Sequence, residues 1–179
     1  MVDRVDRSGV RIRRGTAEDA AALAEFAART FADTFGEFNT PENLRAHLAA
    51  SYGIAQQTRE LVDPAAVTLL VEDASTLVAY AQVRRAPPPP CVAVPDPIQL
   101  QRFYVDRPAH GHGVAQRLMA AVRETARGFG GRHLWLAVWE RNPRAIAFYG
   151  KCGFVDVGDT EFHVGPDRQI DRVLVAPVG

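Results

Sequence analysis

The chain has 179 residues, 47% of them apolar, with 21 basic and 21 acidic side chains. That length and apolar content suit one globular domain with a full core, and no run approaches the roughly 18 uninterrupted apolar residues of a spanning helix. Zero net charge argues against a dedicated nucleic-acid binder, and two cysteines, Cys91 and Cys152, form neither a C-x-x-C pair nor a disulfide framework.

Met1 to Gly9 are polar and are predicted to be flexible, leaving 10–179 as a single domain. No signal-peptide apolar block follows Met1, so a cytoplasmic protein is expected. Val10 to Arg13 read as a short edge strand. Thr16 reads as an N-cap, and Leu23, Phe26, Ala27, Thr30 and Phe31 form the apolar stripe of a helix that ends near Phe35 before Gly36. Thr40-Pro41 starts a second helix, to about Tyr52. A third covers Ile54 to Val62 and stops at Asp63-Pro64. From Thr16 to Asp63 eight acids face three arginines, a balance of −5. Either solvated helix faces or a lobe that attracts cations would give such a count.

Val67 to Val71 and Leu77 to Val83 are predicted to form a hairpin. The proline run from Ala86 to Pro97 cannot supply a strand's hydrogen bonds and is expected to be a stiff surface connector. Leu100, Phe103 and Val105, with Tyr104 among them, then predict a buried strand. Val114, Leu118, Val122 and Phe129 recur at helical spacing after it. From Ile98 to Arg132 six arginines face Asp106 and Glu124, a balance of +4, which suits a phosphate-bearing ligand. His133 to Glu140 form another strand. Asn142-Pro143 cap a short helix that Gly153 closes. Phe154 to Val157, Thr160 to Val164 and Ile170 to Val175 complete the sheet, the last two joined by Gly165-Pro-Asp.

Two stretches carry the chemistry. The first is His110-Gly111-His112-Gly113-Val114-Ala115, between the Phe103 strand and the long helix. Glycines at a helix mouth let the backbone approach a ligand, and first-turn N–H groups can point at an anion; a tight turn that binds nothing would look the same. A P-loop would need Lys-Ser or Lys-Thr where Val114-Ala115 stand, and a dinucleotide fingerprint would need a glycine where Gln116 stands. The second stretch runs from Trp139 to Phe154. Tyr149 follows Asn142 by seven residues, two helical turns, so both can face one cleft about 10 Å apart.

The first stretch resembles the pyrophosphate loop [RQ]-x-x-G-x-[GA] of the GNAT superfamily of N-acetyltransferases, with His110 in place of Arg or Gln. The second, through Asn142, Ala145, Phe148, Tyr149, Gly153 and Phe154, resembles that superfamily's N-x-x-A-x-x-F-Y-x-x-x-G-F signature. The likeness extends over Val10 to Val175. It implies an α/β (α+β) GNAT fold: a mixed, mostly antiparallel sheet of about six or seven strands, splayed at the central strand and flanked by four or five helices. It also implies acetyl-CoA as acyl donor. The backbone of Phe103, Tyr104 and Val105 would pair with the pantetheine arm beside Asn142. The loop of His110, Gly111, His112, Gly113, Val114 and Ala115 would hold the pyrophosphate, with Arg117 an addition there.

The implied reaction moves an acetyl group to a primary amine by direct attack. An amine with a pKa near 10.4 must first lose a proton, the developing oxyanion needs a donor, and the leaving thiolate needs an acid, for which Tyr149 is the candidate. Gln99 stands where many relatives carry a glutamate, so the base is open among a water relay, Tyr104, Glu140 and Glu37. Phe31 to Leu44 resemble the helix pair of bacterial spermidine/spermine N-acetyltransferases, and Asp33, Glu37 and Glu42 suit a polyamine. Asp33 and Glu37 are the expected substrate-binding residues. A protein N-terminal amine, an antibiotic amine, or a non-catalytic acyl-CoA sensor are the alternatives. A small-molecule acceptor is the expected partner, with no metal, membrane or nucleic acid, in a monomer or homodimer.

Overall fold

The computed structural model describes residues 4–5, 9–164 and 167–179. Among these residues eight strands form one sheet in the order β1-β2-β3-β4-β5-β6-β8-β7. They are β1 (Arg4–Val5), β2 (Val10–Arg14), β3 (Ala66–Asp73), β4 (Thr76–Arg84), β5 (Pro97–Val105), β6 (His133–Trp139), β7 (Val155–Val164) and β8 (Asp167–Pro177). Among the described residues five α-helices accompany them: α1 (Ala20–Phe35), α2 (Pro41–Tyr52), α3 (Ile54–Val62), α4 (Val114–Gly128) and α5 (Pro143–Lys151). Every neighbouring pair is antiparallel except β5 and β6.

The period-two alternation of β3 and β4 divides the core between the two faces of the sheet. Leu69, Val71, Ala79, Ala81 and Val83 pack with Leu118, Val122 and Ala126 of α4. Leu70 and Tyr80 pack on the other face with Leu23, Phe26 and Phe31 of α1 and Leu61 of α3. The proline-rich connector covers β6 and β8, where Val92 joins Trp135, Val173 and Val175.

The sheet opens at β5. Its parallel pairing with β6 holds only at Pro97–His133, Ile98–Leu134 and Gln99–Trp135. On the other side Val83 opposes Leu100 and Gln82 opposes Arg102, so Gln101 is an extra residue, a β-bulge. Bulges bend a strand and increase its twist, and this one lies where β5 leaves β6. The edge of Leu100 to Val105 therefore faces an opening.

Three expectations need correction. Val10–Arg14 is an interior strand, because Arg4–Val5 pair with Arg11 and Ile12 on its outer side. The remainder of the segment expected to be flexible, 1–3 and 6–8, lies outside the described residues, as does the Gly165-Pro166 part of the last turn. The two strands expected from Phe154 to Val164 are one: Gly158 and Asp159, between them, pair with Val173 and Arg172, and a register shift leaves Val157 as the extra residue. Thr16 caps a 3-10 turn, Ala17–Asp19, ahead of α1, with its N–H donating to Asp19 Oδ2 at 2.7 Å. Among the described residues no helix is long and apolar enough to cross a membrane.

Candidate active site

The opening beside β5 continues into a cleft of about 590 Å³ lined by α1, α2, β5, the end of β6, α5 and β8. At one end Phe103 stacks on Phe148, with centroids 5.5 Å apart, and meets the Tyr149 ring edge-on at 6.2 Å. Asn142 caps α5, its Oδ1 accepting from the Ala145 N–H at 3.0 Å, and so fixes the helix that carries Tyr149. Both side chains line the cleft, as their spacing predicts. Tyr149 is buried, and burial, with Cys152 next, pushes its phenol well above the ordinary tyrosine range. It therefore holds its proton throughout the physiological pH range.

The glycine loop abuts this end. His110 Nε2 lies 2.8 Å from the Val105 carbonyl oxygen, which ties the loop back to β5. Gly111 and Gly113 have φ of 83° and 78°, a left-handed backbone that side chains disfavour, and an added Cβ on either would meet nothing within 4 Å. Gly113 is the N-cap of α4 and offers no side-chain cap, so the first-turn N–H groups lack helical acceptors. Asp106 anchors the same corner to α1 through two 2.9 Å bonds from Arg29, which hold its carboxyl below the usual range.

The other end is aromatic. Phe31 stacks on His47 at 4.6 Å, His47 meets Phe162 of β7 edge-on at 5.7 Å, and Phe35 meets Trp139 at 5.7 Å. Across the mouth Gln169 donates to Asn39 at 3.3 Å. Arg102 projects into the cleft but is held by Glu60, with Nη2 at 3.0 Å from Oε1. Partial burial, with the Arg102 charge second, lowers the His47 pKa and favours neutral imidazole. Asp171 of β8 also lines this end. It is 8% exposed, and its Oδ1 is buried without a hydrogen-bond partner. Burial, reinforced by Glu140, raises its pKa to about 6.

Residues 24–154 match the acetyltransferase (GNAT) family. The chain belongs to the GNAT family. An uncharacterized N-acetyltransferase of Mycobacterium bovis is 32% identical over 157 residues, 88% of this chain and 96% of that one. PaiA N-acetyltransferase from Thermoplasma acidophilum, solved in complex with coenzyme A, superimposes with a TM-score of 0.77 at 19% identity, covering 94% of this chain and 98% of the other. A spermidine N-acetyltransferase chimera from Vibrio cholerae gives 0.64 at 16% identity, covering 95% and 96%. At those identities the two structures speak to the fold.

The GNAT fold and family membership make this chain an acyltransferase. Of the expected site residues, Phe103, Tyr104, Val105, His110, Ala115, Asn142, Tyr149 and Asp33 share the cleft lining. Gly111, His112, Gly113 and Val114 form the adjoining helix mouth, with Val114 buried beneath it. Glu37 does not line the cleft: it sits exposed in the 3-10 turn Gly36–Phe38 that ends α1. Gln99 and Glu140 are also outside the lining. Sequence reasoning missed the Gln101 bulge, which leaves no local mark, and Asp171. A signal for the latter existed, because Asp171 shares its side of β8 with the buried Val173 and Val175.

Proposed function

We propose that this GNAT enzyme transfers an acetyl group from acetyl-CoA to a primary amine, with Tyr149 donating the proton that the departing sulfur takes. The observation that carries the reading is the cleft itself, which joins an unpaired β5 edge, a glycine-opened helix mouth and a protonated phenol. The fit to the donor is good on all three counts. The N–H and C=O of Phe103 and the N–H of Val105 point away from β4 to the side that no strand occupies, while Tyr104 between them pairs with Tyr80; the N–H groups of Gly111 to Ala115 suit a pyrophosphate, and the Asn142 amide is at the cleft wall. Bound there, acetyl-CoA supplies a thioester whose carbonyl accepts the amine. Backbone N–H groups at the Gln101 bulge, beside the split, would meet the negative charge that develops on the acyl oxygen.

The finer expectation of a polyamine acceptor draws little from the cleft. Asp33 lies 3.8 Å from Arg29, Glu37 is outside the lining, and Arg102, Arg107 and Arg144 balance Asp33, Asp106 and Asp171. A polycation would gain no net attraction there.

The test is release of free thiol from acetyl-CoA with a panel of amines, for the native chain and Tyr149→Phe. Amine-dependent release that falls about 100-fold in the variant, with coenzyme A binding retained, is the expected result for a lost general acid. Binding of acetyl-CoA with no release for any amine would replace the enzyme reading with that of an acyl-CoA sensor.

A further inference from the structure

We propose that Asp171 receives the ammonium group of the acceptor and takes its proton, and that the acceptor is a primary amine carried on an aromatic or apolar body. This rests on the N-acetyltransferase reading above and names the substrate class of that same site.

A carboxylate that is 8% exposed and has a buried oxygen without a partner is costly, and chains keep such groups where a ligand completes them. Asp171 opens into the cleft at the end away from the helix mouth. The walls around that end are Phe31, Phe35, His47, Tyr52, Trp139 and Phe162. Aromatic faces attract a cation and bury an apolar body at little entropic cost. One carboxylate inside an aromatic chamber matches one ammonium with a ring or hydrocarbon behind it.

The surrounding charges decide against a polycation. From α1 comes Asp33, already beside Arg29, and from α2 comes His47, whose neutral form is favoured. From β5 comes Arg102, a fixed positive charge paired with Glu60, and from α5 come Arg144 and the neutral phenol of Tyr149. Glu140 follows β6, and β7 opposes Asp171 with uncharged Thr160. Among the described residues a second ammonium would find no second buried carboxylate, and it would meet Arg102.

The proton balance closes. The acceptor arrives as an ammonium with three protons. Asp171 takes one, the freed lone pair forms the nitrogen–carbon bond, and the carbon–sulfur bond breaks. A second proton restores the one that Tyr149 gives to sulfur, and the third stays on the amide. Asp171 then returns its proton to solvent, ready at neutral pH because its pKa lies near 6.

The experiment compares the full-length native chain with Asp171→Asn, using phenethylamine and spermidine as acceptors between pH 6 and 10 and calorimetry of coenzyme A binding as an activity-independent readout. Native kcat/KM should favour phenethylamine over spermidine by about tenfold, the scale of one aromatic pair, because both ammonium groups can reach Asp171 but only phenethylamine brings a ring to the aromatic walls. In the variant, kcat/KM for phenethylamine should fall about 100-fold at pH 7 and recover toward the amine's own pKa, because an amine that arrives neutral needs no base. In the native chain, 2-phenylethanol, which lacks the cation, should compete about tenfold more weakly than phenethylamine, and this needs no variant. A variant within about twofold of native at every pH, or a native preference for spermidine, overturns the inference while acetyl transfer stands. If neither protein binds coenzyme A, the acetyltransferase reading falls and takes this one with it.

Discussion

Asp171 should govern stability as well as chemistry. Its pKa is near 6 in the folded chain, against about 3.9 for an unperturbed aspartate, so the folded state holds a proton that the unfolded state releases. A raised carboxyl contributes stability that is fully present below about pH 4 and is lost as pH rises through 6. Above that point the buried charge costs up to about 3 kcal/mol. Asp171→Asn should therefore melt several degrees higher than the native chain at pH 8 and no higher at pH 4. Equal melting temperatures at both values would mean that water or a counter-charge already satisfies the carboxylate. At this scale the site was half legible. Tyr149 and Asn142 were readable because a capped helix fixes their spacing, whereas Asp171 and Arg102 reach the cleft only through strand register, which no local pattern encodes.

The strand, loop and helix from β5 to α4 form the element most visible in the sequence. Glycine has a physical signature there: φ of 78° at Gly113, with open space beyond it. Gly113→Ala should cost about 1–2 kcal/mol for the left-handed backbone without any clash. Its methyl would sit at the helix mouth, so coenzyme A affinity should fall further than stability accounts for. Desulfo-pantetheine fragments that lack the pyrophosphate should lose nothing, and an equal loss for both ligands would place the phosphates elsewhere. The helix pair α1 and α2 was equally readable in outline, through the Thr40 cap and Pro41. The Gly36–Phe38 turn between them was not, and that turn takes Glu37 away from the cleft.

The single sheet has two antiparallel halves, β1 to β5 and β6-β8-β7, joined by a short parallel seam. Hairpins within each half follow from local alternation and turns. The seam does not, because it depends on a bulge at Gln101 and on the approach of Gly131 to β5. A Cβ at Gly131 would lie 2.4 Å from Ile98 Cγ1 and 2.9 Å from the Ala126 carbonyl, so the start of β6, the end of α4 and β5 meet there with no room to spare. Gly131→Ala should then destabilise the fold by about 1–3 kcal/mol through overpacking. It should also move the two halves apart, and the cleft lies between them. In the native chain, coenzyme A at about 100 times its Kd should add roughly 2.7 kcal/mol of stability, since it would bind the folded chain and not the unfolded one. The variant should show a smaller thermal shift at the same concentration, because part of the binding energy goes into closing the seam. A variant that melts lower yet responds to coenzyme A as the native chain does would separate the two roles: the seam would hold the fold together, and β5 and the α4 mouth alone would set the cleft.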